Sequence, residues 1–314
     1  MDIMAHKIIP AKTKPIEAGD VAHTVSVIYS GTFNIDILCP VLLQYKPHPV
    51  IQSIINSNYT KWSAIQANGK PRFTNEMTSG LGNIIRNHDG SMQIQAVMYP
   101  FYAKLAGRGK DVTDPEQLEW LKKQHESAGP DNFTTSITYP FACALLVKFD
   151  NNKGFILQER SAAGAQNVGK ITASVTGSFD ENDLILSSLP NIYPERIDLV
   201  RGAKRELFEE RGISSTTDVV SFQSSMIVYE NMLKEFIYVG VVETNLTDTE
   251  VMEKAISASD SWETNRVLLV HPENPNPLLI AQLRDRATPA SRIAMYAGLK
   301  DDPAGLEFLR RLVS

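Results

Sequence analysis

The stretch RELFEERGI, residues 205–213, sets Glu206, Glu209 and Glu210 between two arginines and closes on a glycine. Their i, i+3, i+4 spacing puts the three carboxylates on neighbouring positions of one helix surface, and Arg205 stands four residues before Glu209. Read as the outer face of an amphipathic helix, the cluster gains only about 0.2–0.5 kcal/mol from that one ion pair, while its like charges repel. A divalent cation changes the balance. Mg²⁺ takes oxygen ligands and is held by a few carboxylates together with substrate phosphates. The stretch is therefore either a solvated charged face or a site that holds metal against a phosphate chain.

Working outward, YPERIDLVRGAKRELFEERG (193–212) reads as one long helix. Pro194 suits a first helical turn, Glu195 and Asp198 lie near its positive end, and Gly212 stands where a left-handed C-cap belongs. Ile197, Val200, Ala203 and Leu207 recur at three- to four-residue spacing and form the face that packs on a core. Strands are expected before the helix at 139–150 and 154–160, joined by the turn NNKG, and at 170–179. After it come a pair of antiparallel strands, VVSFQSSMIVYE and KEFIYVGVVETN, a capped helix over TDTEVMEKAISASD, the strand NRVLLVHP and a closing helix from residue 290.

The stretch 205–213 matches the second half of the Nudix box, Arg-Glu-U-x-Glu-Glu-x-Gly-U with U aliphatic, at every fixed position. GFILQERS, GKITASVTGSFD and EFIYVGVVETNLTDTE resemble the family's flanking strands and glycine loop, so the resemblance covers roughly residues 136–314. The upstream half departs from the pattern. Gly177 is followed after five residues by Asp183 where the family has glutamate, and 21 residues then separate Asp183 from Arg205 instead of seven. An insertion of 14 residues thus splits the box. Asp183 is one candidate for the upstream carboxylate; Glu195 and Asp198 are the others.

The resemblance implies a divalent-metal-dependent hydrolase, with Mg²⁺ or Mn²⁺, that cleaves the phosphoanhydride of a nucleoside diphosphate linked to another group. Sugar nucleotides, ADP-ribose and dinucleotides form the substrate class. Metal neutralises the anionic diphosphate, lowers the pKa of bound water and orients the reacting oxygens. By resemblance Glu209 and Glu210 are the main metal ligands, Glu206 is a ligand or base, the Gly177 backbone completes coordination, and Arg205 orients a glutamate. Arg160 and Lys170 are candidates for substrate phosphate, each weighed against a surface role. Trp262 is a candidate for stacking on a base, weighed against packing. Glu230 and Glu263 are candidates for a further acid, with a solvated surface carboxylate the commoner fate. Two other functions remain open: a ligand-binding or regulatory module on the same scaffold, which a split box favours, and an isomerase or phosphohydrolase variant.

The rest of the chain sets bounds. With 314 residues the default is two domains. The expected division is an N-terminal α/β domain over 1–135 and a Nudix-like domain over 136–314, an α+β α/β/α sandwich with a mixed sheet. In the first part, strands are expected at 24–30 and 33–43 and an apolar strand-like stretch at 91–107, with helices after Pro49 and over 111–129 and a linker over 129–136. The first 22 residues read as an extended polar arm. A net charge of -5 without a basic block argues against nucleic acid. Cys39 and Cys143 sit in apolar runs and read as buried thiols, a disulfide being the alternative. The six histidines show no metal-ligand spacing. No signal peptide and no membrane span is expected, so a cytoplasmic protein, working as a homodimer as Nudix proteins often do, is the expectation.

Overall fold

The computed structural model describes residues 25–30, 32–68, 76–86, 88, 91–127, 137–162, 167–185, 195–230 and 234–313. The expected arm over the first 22 residues and the linker over 129–136 lie outside them. No described helix is long and apolar enough to cross a membrane.

The first part of the chain forms β1 (Val25–Ser30), α1 (Ile35–Leu38), β2 (Val41–Leu43), α2 (Pro49–Asn68), β3 (Met77–Arg86), β4 (Met92–Pro100), α3 (Phe101–Gly107) and α4 (Pro115–Ser127). The single strand expected over 33–43 divides into α1 and β2. Asn34 is the reason, because its Oδ1 accepts from the backbone N–H of Asp36 at 3.0 Å and of Ile37 at 3.2 Å, which starts a helical turn. The helix after Pro49 runs farther than expected, because Ile51, Ile54 and Trp62 all bury on one side of it. Likewise the apolar stretch 91–107 is strand and then helix, divided at Pro100. Asp114 caps α4, accepting from the Glu116 N–H at 2.8 Å.

The second part continues with β5 (Tyr139–Phe149), β6 (Gly154–Arg160), β7 (Ile171–Thr172), β8 (Val175–Ser178), β9 (Leu184–Ile185), β10 (Arg196–Ile197), α5 (Leu199–Arg211), β11 (Val219–Glu230) and β12 (Glu235–Thr244). Then follow α6 (Asp248–Ser257), β13 (Thr264–Val270), α7 (Pro277–Arg286), α8 (Pro289–Leu299) and α9 (Pro303–Val313). The long helix expected from 193 is shorter. It begins at Leu199, because Asp198 is its N-cap and accepts from the N–H groups of Val200 and Arg201. Residues 196–197 are strand, and Pro194 lies outside the described residues. Gly212 ends α5 at φ 64°, as the C-cap reading required.

The described strands form one mixed sheet with β5 at its centre. β5 pairs in parallel with β12 and antiparallel with β8, β3 and β6. Its side chains alternate between two cores: Phe141, Cys143, Leu145, Val147 and Phe149 join the core beneath α5 and α6, and Ala144 and Leu146 join the one beneath α8 and α9. Burial on both faces is why this strand is apolar at nearly every position. Helices thus cover both faces of a mixed sheet, the expected α+β sandwich. Strand pairing also crosses residue 135: β1 lies against β11, β2 against β10 and β3 against β5.

The insertion that splits the box is closed at its base. Arg196 pairs with Ile185 and Ile197 with Leu184, so β9 and β10 run antiparallel at the two ends of residues 186–194, which lie outside the described residues. The Asp198 N–H then donates to the Asp183 carbonyl at 2.9 Å. On its other edge β10 meets β2, and the Arg196 guanidinium donates to the Cys39 carbonyl at 2.9 Å. Both cysteines are free and buried, so the disulfide alternative falls.

Candidate active site

Of the three candidates for the upstream carboxylate, Asp183 is the one that pairs with Arg205. Its Oδ1 accepts from Arg205 Nε at 3.0 Å and its Oδ2 from Arg205 Nη2 at 2.9 Å, a two-pronged pair on a carboxylate with no solvent exposure. The rival candidates are engaged elsewhere: Asp198 caps α5, and Glu195 is exposed. Because β9 and β10 bring the ends of the insertion together, the 21 intervening residues do not separate Asp183 from the helix.

Arg205 serves four acids at once. Nη1 donates to Glu206 Oε1 at 3.0 Å and to Glu209 Oε2 at 2.7 Å, and Nη2 lies 3.2 Å from Asp180 Oδ2 and 3.2 Å from the Ser178 carbonyl. Burial alone would push a guanidinium to lose its proton, but Asp183 and its neighbours hold Arg205 firmly protonated.

The three helix carboxylates differ in depth. Glu209 is the most open, its side chain 34% exposed, against 11% for Glu206 and 3% for Glu210. Glu206 rests on the backbone of Gly177, where a Cβ would lie 1.9 Å from its Cδ; only glycine leaves room for that carboxylate. Glu210 accepts from Gln158 Nε2 at 3.1 Å and from the Thr176 N–H at 3.2 Å, with Arg160 and Arg211 each 3.6 Å away. Burial pushes the Glu210 carboxyl up to about 7, although both arginines oppose it. Burial also raises Glu206 well above the carboxylate range, with Glu210, Glu209 and Glu263 adding to the rise against Arg205.

These acids line an open cavity of about 510 Å³. Arg160 and Glu263 share its wall as an ion pair of 2.5 Å, so of the two later acids considered, Glu263 reaches the cavity. Glu230 is buried in β11 and is neither a lining residue nor the surface carboxylate expected. Lys170 is exposed on the loop before β7, and Trp262 donates its ring N–H to Asp260 at 3.2 Å; neither lines the cavity. The first part of the chain contributes Glu76, Met77, Thr78, Phe101 and Lys104, none of which carried a sequence signal.

The donor set suits a hard divalent cation in kind, since carboxylate oxygens are what Mg²⁺ and Mn²⁺ prefer. Glu206 seated on Gly177 and Glu209 at the mouth are the acids that would hold it. As placed, Arg205 stands between them, and no group of three acids, histidines or cysteines converges on one metal position among the described residues.

No protein-family profile matches the chain, and no curated protein does. Solved structures similar to it are Nudix hydrolases and related pyrophosphatases. A Nudix hydrolase from Nitrosomonas europaea is 18% identical, with 51% of this chain and 71% of that one covered and a TM-score of 0.31. A bifunctional NMN adenylyltransferase/ADP ribose pyrophosphatase from Francisella tularensis is 15% identical, covering 64% of this chain and 48% of that one at a TM-score of 0.37. The match thus spans about half the length of the Francisella enzyme. That enzyme has also been solved with AMP and a manganese ion, a structure 12% identical to this chain that covers 62% of it and 50% of that one at a TM-score of 0.33.

Proposed function

We propose that the chain is a divalent-metal-dependent hydrolase of a phosphoanhydride, acting on a nucleoside diphosphate linked to another group. The observation that carries this reading is the reassembly of the split box. Gly177, Arg205, Glu206 and Glu209 meet at one wall of a 510 Å³ cavity, with Asp183 buried behind Arg205.

A bound cation would neutralise the diphosphate and supply hydroxide from water near neutral pH. This chain's residues do the rest. Arg205 fixes the rotamers of Glu206 and Glu209, and Asp183 fixes Arg205, so the acids are positioned before any ligand arrives. Glu210, buried and hydrogen-bonded to Gln158 and the Thr176 N–H, anchors the inner end of the site. Glu263 stands beside Arg160 at the wall, where it can hold a proton from an attacking water or keep the arginine aimed at a phosphate.

A second reading has one observation in its favour. Arg205 already offsets the charge of Glu206 and Glu209, as a module that binds a nucleotide without turnover would require. Turnover decides between them. Release of phosphate or nucleoside monophosphate from a panel of nucleoside-diphosphate compounds, with Mg²⁺ and Mn²⁺, is expected for the wild type. It should fall by about 10²–10³ in Glu209→Gln, the scale of losing one group that stabilises developing charge. No turnover by the wild type with either metal sinks the hydrolase reading, whereas turnover that survives in EDTA sinks its metal dependence and a Glu209→Gln variant at the wild-type rate sinks the role of that carboxylate.

A further inference from the structure

We propose that Lys104 and Thr78, supplied by the first part of the chain, bind a phosphoryl oxygen of the ligand across the cavity from the carboxylate helix. The identity of the anion rests on the hydrolase reading above; the existence of an anion site rests on the following geometry.

Lys104 lies in α3 and is 4% exposed, yet it lines the cavity. A buried ammonium carries three donors and requires both a counter-charge and hydrogen bonds. Lys104 finds little of either. Among the described residues its hydrogen bond goes to Ser178 Oγ at 3.3 Å, its carboxylate partner, Glu235 Oε1, is 3.9 Å away, and the Phe101 ring centroid lies 5.7 Å from the ammonium. That same oxygen is nearer to Arg108, at 3.4 Å. Two cations therefore share one carboxylate, which leaves a positive surplus at this end. Arg108 Nε is itself buried without a hydrogen-bond partner. Burial and Arg108 pull the Lys104 ammonium down to about 8, so it keeps its proton near neutral pH but holds it loosely.

Thr78 is a second and independent sign. It is 5% exposed, it lines the same cavity, and its Oγ1 has no hydrogen-bond partner among the described residues. A buried hydroxyl left unsatisfied costs free energy that a bound acceptor would return. Thr78 is held there by a bridge to Asp180, the acid that also meets Arg205 Nη2. Ser178 links the two ends: its hydroxyl takes the Lys104 hydrogen bond and its carbonyl the Arg205 one. Lys104 is thus separated from the acidic wall by one residue of β8. Acids still line the cavity around it, Glu76 and Asp180 among them, so the ligand that fits carries an anionic group at one end and a bound cation at the other. A phosphoanhydride with its metal has that form. A compact ammonium with spare donors suits a phosphoryl oxygen as a point charge.

The test is calorimetric titration of the full chain with inorganic pyrophosphate at pH 7, in EDTA and again with Mg²⁺. Lys104→Met keeps the volume of the stem and removes the charge, and Thr78→Val keeps the shape and removes the hydroxyl. The expected result is affinity lower by about tenfold or more in Lys104→Met and by a few-fold in Thr78→Val, whichever condition gives the wild type its binding. If Lys104→Met does not fold, Thr78→Val decides alone. Unchanged affinity in the folded variants, or no pyrophosphate binding by the wild type in either condition, overturns the proposal. Loss of binding in these variants beside absent turnover in the wild type would uphold the anion site and sink only the hydrolase reading.

Discussion

Arg205, partly exposed, and Lys104, buried, face one cavity from opposite parts of the chain, and the protein treats these two cations differently. Arg205 meets Asp180, Asp183, Glu206 and Glu209 within 3.2 Å, a closed network with every prong used. Lys104 has one weak hydrogen bond and a shared carboxylate at 3.9 Å. A planar guanidinium can fork between several acids and so serves as scaffold, whereas a compact ammonium with spare donors is suited to a ligand. One wall of the cavity is therefore preorganised by the protein alone, and the other awaits something anionic.

The comparison breaks most directly at Arg205. Arg205→Ala leaves Asp183 charged, buried and unpaired, and should destabilise the fold by about 3–5 kcal/mol in urea denaturation. Arg205→Lys should recover only part of this, because an ammonium cannot reproduce the two-pronged pair. Equal stability of Arg205→Ala and wild type would show that the network does not hold the wall.

Gly177→Ala comes next, since its Cβ would fall 1.9 Å from Glu206 Cδ. Overpacking of this kind costs about 1–3 kcal/mol. The larger loss should appear in turnover, because Glu206 must leave its seat. An alanine variant with unchanged kcat would refute that seat.

Gly212→Ala tests the end of α5 rather than its chemistry. The residue has φ 64°, and a Cβ would meet the Lys254 carbonyl oxygen at 2.7 Å. A loss of roughly 1 kcal/mol or somewhat more is expected by thermal unfolding, with metal-dependent activity retained at low temperature.

The smallest effect sharpens the other side of the comparison. The folded state lowers Lys104 from 10.5 to about 8, so its penalty is in full force below pH 8, where both states carry the proton. Between pH 8 and 10.5 the unfolded chain binds more protons at this group, so stability rises with pH. From pH 8 to 9 the gain should be about 1 kcal/mol or less, and Lys104→Met should abolish it. A pH profile identical in the two proteins would mean the ammonium is not buried in solution.

Much of the acidic wall was legible in residues 205–213. The i, i+3, i+4 spacing, the Arg205–Glu209 pair and the Gly212 cap follow from local rules, and the structure holds each of them; Gly177 was marked by the resemblance alone, and the structure seats Glu206 against it. Local rules failed where a residue had two local roles available. Asp198 could cap a helix or pair with Arg205, and it caps. Residues 193–197 carried helical signals, but pairing with β9 and β2 drew 196–197 into a strand, a tertiary override of propensity. Lys170 and Trp262 had the right residue type beside the right motif, yet neither reaches the cavity.

By itself, then, the sequence determined that a carboxylate cluster would sit on one helix, that the helix would stop at Gly212, and that a strand apolar at nearly every position, as over 139–149, would need cover on both faces. These depend on 3.6- and 2-residue periods and on backbone sterics, which act within a few residues. Tertiary structure alone decided that Asp183 would reach Arg205 across 21 residues, because only the β9–β10 pairing closes that loop. It alone brought Thr78 and Lys104 to the same cavity. A lone lysine in an apolar helix gives no periodic signal; its meaning comes from the burial and the half-used carboxylate that the fold places around it.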